Sequence, residues 1–266
     1  MLALGKRCED GAGVPRSLRE AEVWYSRALS ASVDECVPDF SFEMRKKKAT
    51  KKYQSAKIEA EYRLGKIKSL TAMQDSDFDL SFEYIASAAS MGFPTAQADI
   101  ARMFKAGVLD GGKTYAEYCE RAEKTQRIIP QMSDVANAMK KLGDLYFDGD
   151  QTKRISKNEA LAVRCYKIAA EEGQNNARYS LGWCLRHGVG IRENHVEAAK
   201  WLKLSADNGN PHAAYSYGLC CEEGIGKEIK NKREAIAYYR RAAVAGHEAA
   251  AKRYALLSDS RRESNT

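Results

Sequence analysis

The 266-residue sequence predicts an all-α fold, an α/α superhelical solenoid of about six helix pairs. Three observations lead there. A frame of glycine, alanine and a large apolar residue recurs at a fixed period. A second frame of small and aromatic residues sits between its occurrences. Within both frames the apolar members lie three, four and seven residues apart, which is one face of a helix. Only 5 residues are Pro, while good helix formers abound, so a β-sandwich is disfavoured.

The first frame reads Gly173-x3-Ala177-x3-Leu181-Gly182, then Gly209-x3-Ala213-x3-Tyr217-Gly218, then Gly246-x3-Ala250-x3-Tyr254-Ala255. Its glycines are 36 and 37 residues apart, and Gly92, Ala96, Ile100 and Ala101 fit the same template. The second frame appears as Ala21, Trp24, Tyr25, Ala28; as Ser81, Tyr84, Ile85, Ala88, Ala89; and as Ala162, Cys165, Tyr166, Ala169, Ala170. Ala198, Trp201, Leu202, Ser205, Ala206 and Ala235, Tyr238, Tyr239, Ala242, Ala243 complete it. From Leu4 to Ala28, Leu64 to Ala88 and Leu181 to Ser205 the offset is 24 residues, and from Tyr217 to Ala242 it is 25. Each unit is therefore two amphipathic helices, a first and a second. Turns such as Gly11-Ala-Gly13, Gly188-Val-Gly190 and Gly224-Ile-Gly226 close the first helix, since glycine accepts the left-handed conformation at a helix end. Neither helix buries its stripe alone, so neighbours must stack.

The combined pattern, Ala-x3-Leu-Gly-x2-Tyr-x2-Gly-x-Gly-Val followed by Ala-x2-Trp-Tyr-x2-Ala-Ala-x2-Gly, resembles the Sel-1-like repeat, a relative of tetratricopeptide repeats. The resemblance covers nearly the whole chain and implies a right-handed superhelix of helix pairs that scaffolds protein complexes. Anchors at Leu4, Leu64, Ile100, Leu142, Leu181 and Tyr217 define six repeats. They are expected near 1–30, 57–92, 93–124, 135–173, 174–209 and 210–246, with a partial unit over 247–257. Residues 258–266 are expected to be a disordered tail.

The frame breaks in three places. Leu4 to Leu64 spans 60 residues where Leu64 to Ile100 spans 36, so about 24 extra residues lie near 31–56. They carry the basic patch Arg45, Lys46, Lys47, Lys48, Lys51 and Lys52, read either as a solvated loop or an extended first helix, or as an import or acidic-partner patch. A second insertion, with Ile128, Ile129 and Pro130, follows a poorly matched third repeat and changes curvature or forms a hinge. The first frame begins at Leu4-Gly5, so its first helix is expected to be short, with an earlier start or a partner covering that end.

Signs of catalysis are absent from the residue pattern. His187, His195, His212 and His247 form no His-Glu-x2-His, and no Gly-x-Ser-x-Gly occurs. His247, after Gly246, reads as a capping or surface residue. The Gly-x-Gly turns follow helices rather than strands and lack a third glycine, so they are no dinucleotide fingerprint. Cys184, Cys220 and Cys221 near His187 are read as buried thiols rather than a zinc site, whose ligands prefer tight paired spacing. No metal and no cofactor is expected, and the chain is expected not to be an enzyme. Seven cysteines, odd in number and irregular in spacing, argue for reduced thiols and an intracellular protein, cytoplasmic or nuclear. They also disfavour the secreted, disulfide-bearing, enzyme-like branch of the family. The start MLALGKRCEDG is not expected to be a signal peptide, and no apolar run is long enough for a membrane-spanning helix. A formal charge of +7, much of it in residues 45–52, is too local for a nucleic-acid footprint.

The remaining candidate is the groove lined by first helices. Positions flanking the anchors select Tyr62, Lys66, Arg102, Lys105, Lys140, Asp144, Tyr179, Trp183, Arg186, Tyr215, Glu222 and Glu223. Aromatics with arginine are what protein-binding hot spots favour. The row Lys66, Arg102, Lys105 and Lys140 suits an extended or helical, partly acidic segment of a protein partner. The expected function is a non-catalytic scaffold that organises a complex. The resemblance also allows a regulatory subunit of a membrane-associated enzyme or of a protein-degradation complex.

Overall fold

The computed structural model describes residues 1–31, 43–71, 75–105, 131–150, 155–226 and 230–263. Among them lie twelve helices and no strand; one isolated bridge joins Asp150 and Ile155. The chain divides into two compact units, Met1–Pro130 and Gln131–Thr266. The first holds α1 (Leu2–Asp10), α2 (Leu18–Ser30), α3 (Glu43–Thr71), α4 (Asp75–Ser90) and α5 (Pro94–Lys105). The second holds α6 (Met132–Asp148), α7 (Glu159–Glu171), α8 (Asn175–His187), α9 (His195–Asp207), α10 (Pro211–Glu223), α11 (Lys232–Val244) and α12 (Glu248–Glu263). Within each unit a helix packs on its neighbour in the chain, and successive pairs stack. The fold is an all-α solenoid of repeats.

The anchor glycines have a steric reason. A Cβ on Gly5, Gly143 or Gly218 would lie 2.4, 2.5 or 2.5 Å from the ring of Tyr25, Tyr166 or Tyr239. Each tyrosine comes from the second helix of the same repeat and lies flat on the bare backbone. Its hydroxyl then donates to a carboxylate on the first helix: to Glu9 Oε2 at 2.7 Å, Asp144 Oδ1 at 2.9 Å and Glu222 Oε2 at 2.7 Å. Leu202 takes the tyrosine's place in the fifth repeat, 2.8 Å from where a Cβ on Gly182 would be.

Four of the second helices start with a side-chain cap. Ser17, Asn158, Asn194 and Asn231 accept from the backbone N–H three residues on, a bond worth about 1 kcal/mol per helix end. The second glycine of the Gly-x-Gly turn does more than turn. A Cβ on Gly190 would lie 2.3 Å from Glu159 O, and one on Gly226 2.4 Å from His195 O. Glu159 and His195 open the second helices of the preceding repeats, so this glycine is where repeats touch backbone to backbone.

Two expectations change, at Leu4 and at the tail, and one of the alternatives for the insertion is met. Leu4 is 41% exposed, whereas the anchors Leu64, Ile100, Leu142, Leu181 and Tyr217 are buried; Gly5 and Cys8 provide the buried face of α1. The insertion 31–56 is helical from Glu43 onward as an extension of α3, because only Gly65 interrupts helix formers over Glu43–Thr71. Tyr53 on that extension donates its hydroxyl to Ala31 O at the end of α2. Residues 258–263, expected as tail, continue α12, since neither Gly nor Pro stops it. The second helix of the third repeat and the insertion with Ile128, Ile129 and Pro130 fall outside the described residues.

Candidate protein-binding surface

In unit 1 the selected residues converge on a carboxylate absent from the predicted set. Asp99 is buried on α5, one position before the anchor Ile100. Its Oδ2 accepts from Tyr62 Oη at 2.9 Å and lies 3.5 Å from Lys66 Nζ, while Oδ1 pairs with Arg102. Phe93 closes over Tyr62 with ring centroids 5.2 Å apart. Burial first, then Asp99, push the Tyr62 phenol well above its ordinary pKa, so it remains a donor. These three groove residues form an internal lock around one carboxylate. The Lys105 side chain lies outside the described residues.

In unit 2 the selected residues belong to a row of rings on successive first helices. Phe147 of α6 meets Trp183 of α8 edge-on at 5.9 Å, and Trp183 meets His187 at 4.6 Å. Tyr179 of α8 meets His212 of α10 at 5.9 Å. His212 meets His247 at 5.1 Å, and His247 stacks on Tyr215 at 4.6 Å. Tyr215 reaches back to Tyr239 at 5.8 Å. Phe147, Tyr179, Trp183, Tyr215 and His247 are half-buried; His187 and His212 are exposed. Trp183 therefore packs against the fourth repeat and still shows part of its surface.

The cations beside these rings are paired, which corrects the expectation of an open basic row. Lys140 Nζ lies 2.6 Å from Asp144 Oδ2, and Arg186 Nη2 lies 3.1 Å from Glu223 Oε2. Glu222 takes Arg253 at 3.1 Å. With Lys66 and Arg102 on Asp99, every described cation of the selected set has a carboxylate within 4 Å. The period places residues on a face; it does not show that the next turn or next repeat supplies the counter-charge. Of the basic patch, Lys51 and Lys52 are exposed on α3, and the side chains of Arg45, Lys46, Lys47 and Lys48 lie outside the described residues.

The nucleophile and base chemistry is quiet. Cys8, Cys165, Cys184, Cys220 and Cys221 are free and buried. Burial pushes the thiols of Cys165 and Cys184 up to about 12 and that of Cys220 up to about 11, so they are protonated at neutral pH. His247 Nδ1 accepts from Ala250 N–H at 3.3 Å, so of the two roles expected of it, capping or surface, it takes the capping one. Burial, then the neighbouring His212, lowers the pKa of His247, and burial, then Arg186, lowers that of His187. Among the described residues no group of three or more His, Cys, Asp or Glu is placed to hold a metal, and no helix is long and apolar enough to cross a membrane. Phe147 and His212 on the surface and Asp99 beneath it are the residues that sequence reasoning missed. The signal for His212 and His247 was their place at the start of consecutive first helices.

No curated protein matches the chain. Among solved structures, a Sel1 repeat protein from Oxalobacter formigenes is 33% identical, covering 45% of this chain and 86% of that one, with a TM-score of 0.41. A protective antigen of uropathogenic Escherichia coli strains that displays an SLR fold is 20% identical, with a TM-score of 0.43. It covers 96% of this chain, which spans only 48% of the antigen's length. An immunity protein from Pseudomonas aeruginosa is 18% identical, covering 90% of this chain and 81% of that one, with a TM-score of 0.27. The family model of the Sel1 repeat matches residues 1–33, 58–93, 136–174, 175–210 and 211–247. Those five segments make up more than half of its residues, and the chain belongs to the Sel1 repeat family, whose members are generally non-catalytic scaffolds for protein–protein interaction.

Proposed function

We propose that the protein is a scaffold that seats a segment of a protein partner on the ring-lined face of α6, α8, α10 and α12 and so organises a complex. The observation that supports this most is the row itself. Ring contacts link each first helix of unit 2 to the next, and the rings keep part of their surface in water. Large rings held rigidly cost little entropy on binding and dominate interface energetics. The neighbouring cations are already paired, so recognition rests on Trp183, Tyr179 and Tyr215 more than on charge. An acidic segment gains correspondingly little from Lys140 and Arg186. The scaffold works without chemistry of its own: it is a rigid array that holds another chain in place.

Affinity purification from the native source tests this reading. Trp183→Ala is expected to lose the partner while keeping the helical signal of the wild type. Lys46→Ala with Lys47→Ala and Lys48→Ala is expected to keep it. Equal recovery with Trp183→Ala contradicts the proposal, and loss only in the lysine variant moves the interaction to the insertion.

A further inference from the structure

One position before the last residue of three second helices lies an alanine, Ala89, Ala170 or Ala206, whose carbonyl accepts a side-chain donor besides the backbone N–H of the glycine that follows. In the second repeat Ala89 O accepts from Gln97 Nε2 at 3.3 Å, and in the fourth Ala170 O accepts from Arg178 Nε at 3.2 Å. Gln97 and Arg178 hold the same place, one residue after the alanine that starts the frame of the next first helix. The same place in the sixth repeat is Ala214, which is too short to reach. Ala206 O is served instead from α11, by Arg241 Nη2 at 2.9 Å, and Asp207 Oδ1 holds Arg241 there at 3.1 Å.

The exchange leaves a groove of about 570 Å³ beside Ala214. Pro211, Ala237 and Val244 make its walls apolar, and Arg240 and Arg241 edge it. Such a volume accepts a short stretch of chain or a small ligand. Val244 is 84% exposed. Arg240 is exposed and has no ion pair or hydrogen bond among the described residues. Against Arg240 and Arg241 stands one carboxylate, Asp207, so the edge keeps one unmatched cation.

We propose that this groove is a second docking site, separate from the ring row, for an extended segment of a protein partner. The segment sets an aliphatic side chain against Ala214 and Val244, in the space the fourth repeat fills with the Arg178 stem. An adjacent acidic residue sets its carboxylate against Arg240. Charge complementarity selects this occupant: the walls are apolar, and the single unpaired group at the rim is a guanidinium, which takes a carboxylate in two parallel bonds.

Nuclear magnetic resonance on the isotope-labelled full chain tests this, with the blocked peptide Gly-Leu-Glu-Leu-Gly as probe beside its Gln analogue. The Glu peptide is expected to shift Ala214, Ala237 and Val244 saturably, and the Gln peptide to bind about tenfold more weakly, the worth of one charge-assisted bond. Ala214→Arg, which refills the groove, abolishes the shifts, and Arg240→Gln weakens binding about tenfold. Trp183→Ala leaves the titration unchanged, so failure here and failure of the ring row are read separately. Undiminished shifts in both Ala214→Arg and Arg240→Gln, equal binding of the two peptides, or no response in the wild type each overturn the proposal.

Discussion

Tyr62 in unit 1 and Tyr179 in unit 2 occupy the same place in the repeat, two residues before the anchor. Each reaches the residue just before the anchor of the next first helix. Tyr62 finds Asp99 there and gives its hydroxyl to a buried carboxylate that also holds Lys66 and Arg102. Tyr179 finds Ser216, and its ring is left to meet His212. Differences at Asp99/Ser216, Lys66/Trp183 and Arg102/Leu219 separate a polar lock from the ring row proposed to bind a partner. The repeat sets where a side chain stands, and the neighbouring repeat sets what it does.

The largest expected effect concerns how repeats stack. Gly190→Ala meets backbone at Glu159 O and has a φ of +67°, so overpacking and the left-handed penalty add to about 3 kcal/mol or more. Gly13→Ala, with φ +76°, meets only the far end of the Arg7 side chain, Nη2 at 3.1 Å, and should cost about 1–2 kcal/mol. Urea denaturation compares the two; equal losses mean that the second glycine is a turn residue and nothing more.

Next comes the lock against the ring. Asp99→Ala strands Tyr62, Lys66 and Arg102 and should cost about 2 kcal/mol, a buried ion-pair loss discounted for the half-exposed Lys66. Ser216→Ala removes a neutral partner of Tyr179 and should cost under about 1 kcal/mol. Thermal melts of both variants check the ordering, and a reversed order dissolves the contrast between the units.

A smaller effect follows from His247. Only neutral imidazole accepts the Ala250 N–H at Nδ1, and burial, then His212, hold the His247 pKa below 6.5. A lowered histidine pKa means that the fold prefers the neutral form. Its contribution is complete above 6.5 and is lost as pH falls through the folded value. Unit 2 should therefore lose about 1 kcal/mol on acidification that His247→Asn, an amide cap at any pH, does not lose. Parallel pH-dependent unfolding of the two proteins measures the difference.

Much of this architecture was legible in the residue pattern. The anchor glycines, the turn glycines and the small residues of the second helices follow directly from a repeat that must close-pack. The buried thiols and the His247 cap were legible for the same reason. Contacts made across repeats were not. Asp99 stands where other repeats carry Lys141, Ser180 or Ser216, so nothing in the period marks it as the centre of a network. The basic row looked open because Glu223 lies 37 residues from Arg186 and the pairing depends on the rise between repeats. The helical extension from Glu43 was ambiguous because its charges suit loop and helix alike.

Site-specific photo-crosslinking tests the central claim most directly. A photoreactive phenylalanine is placed at position 183, at 215, at 62 and, as an outer-face control, at Lys200, and each variant is irradiated in extract of the native source. The account predicts a shared partner adduct from 183 and 215, with none from 62 or 200. An adduct from 62 or 200 with neither 183 nor 215 reacting contradicts it.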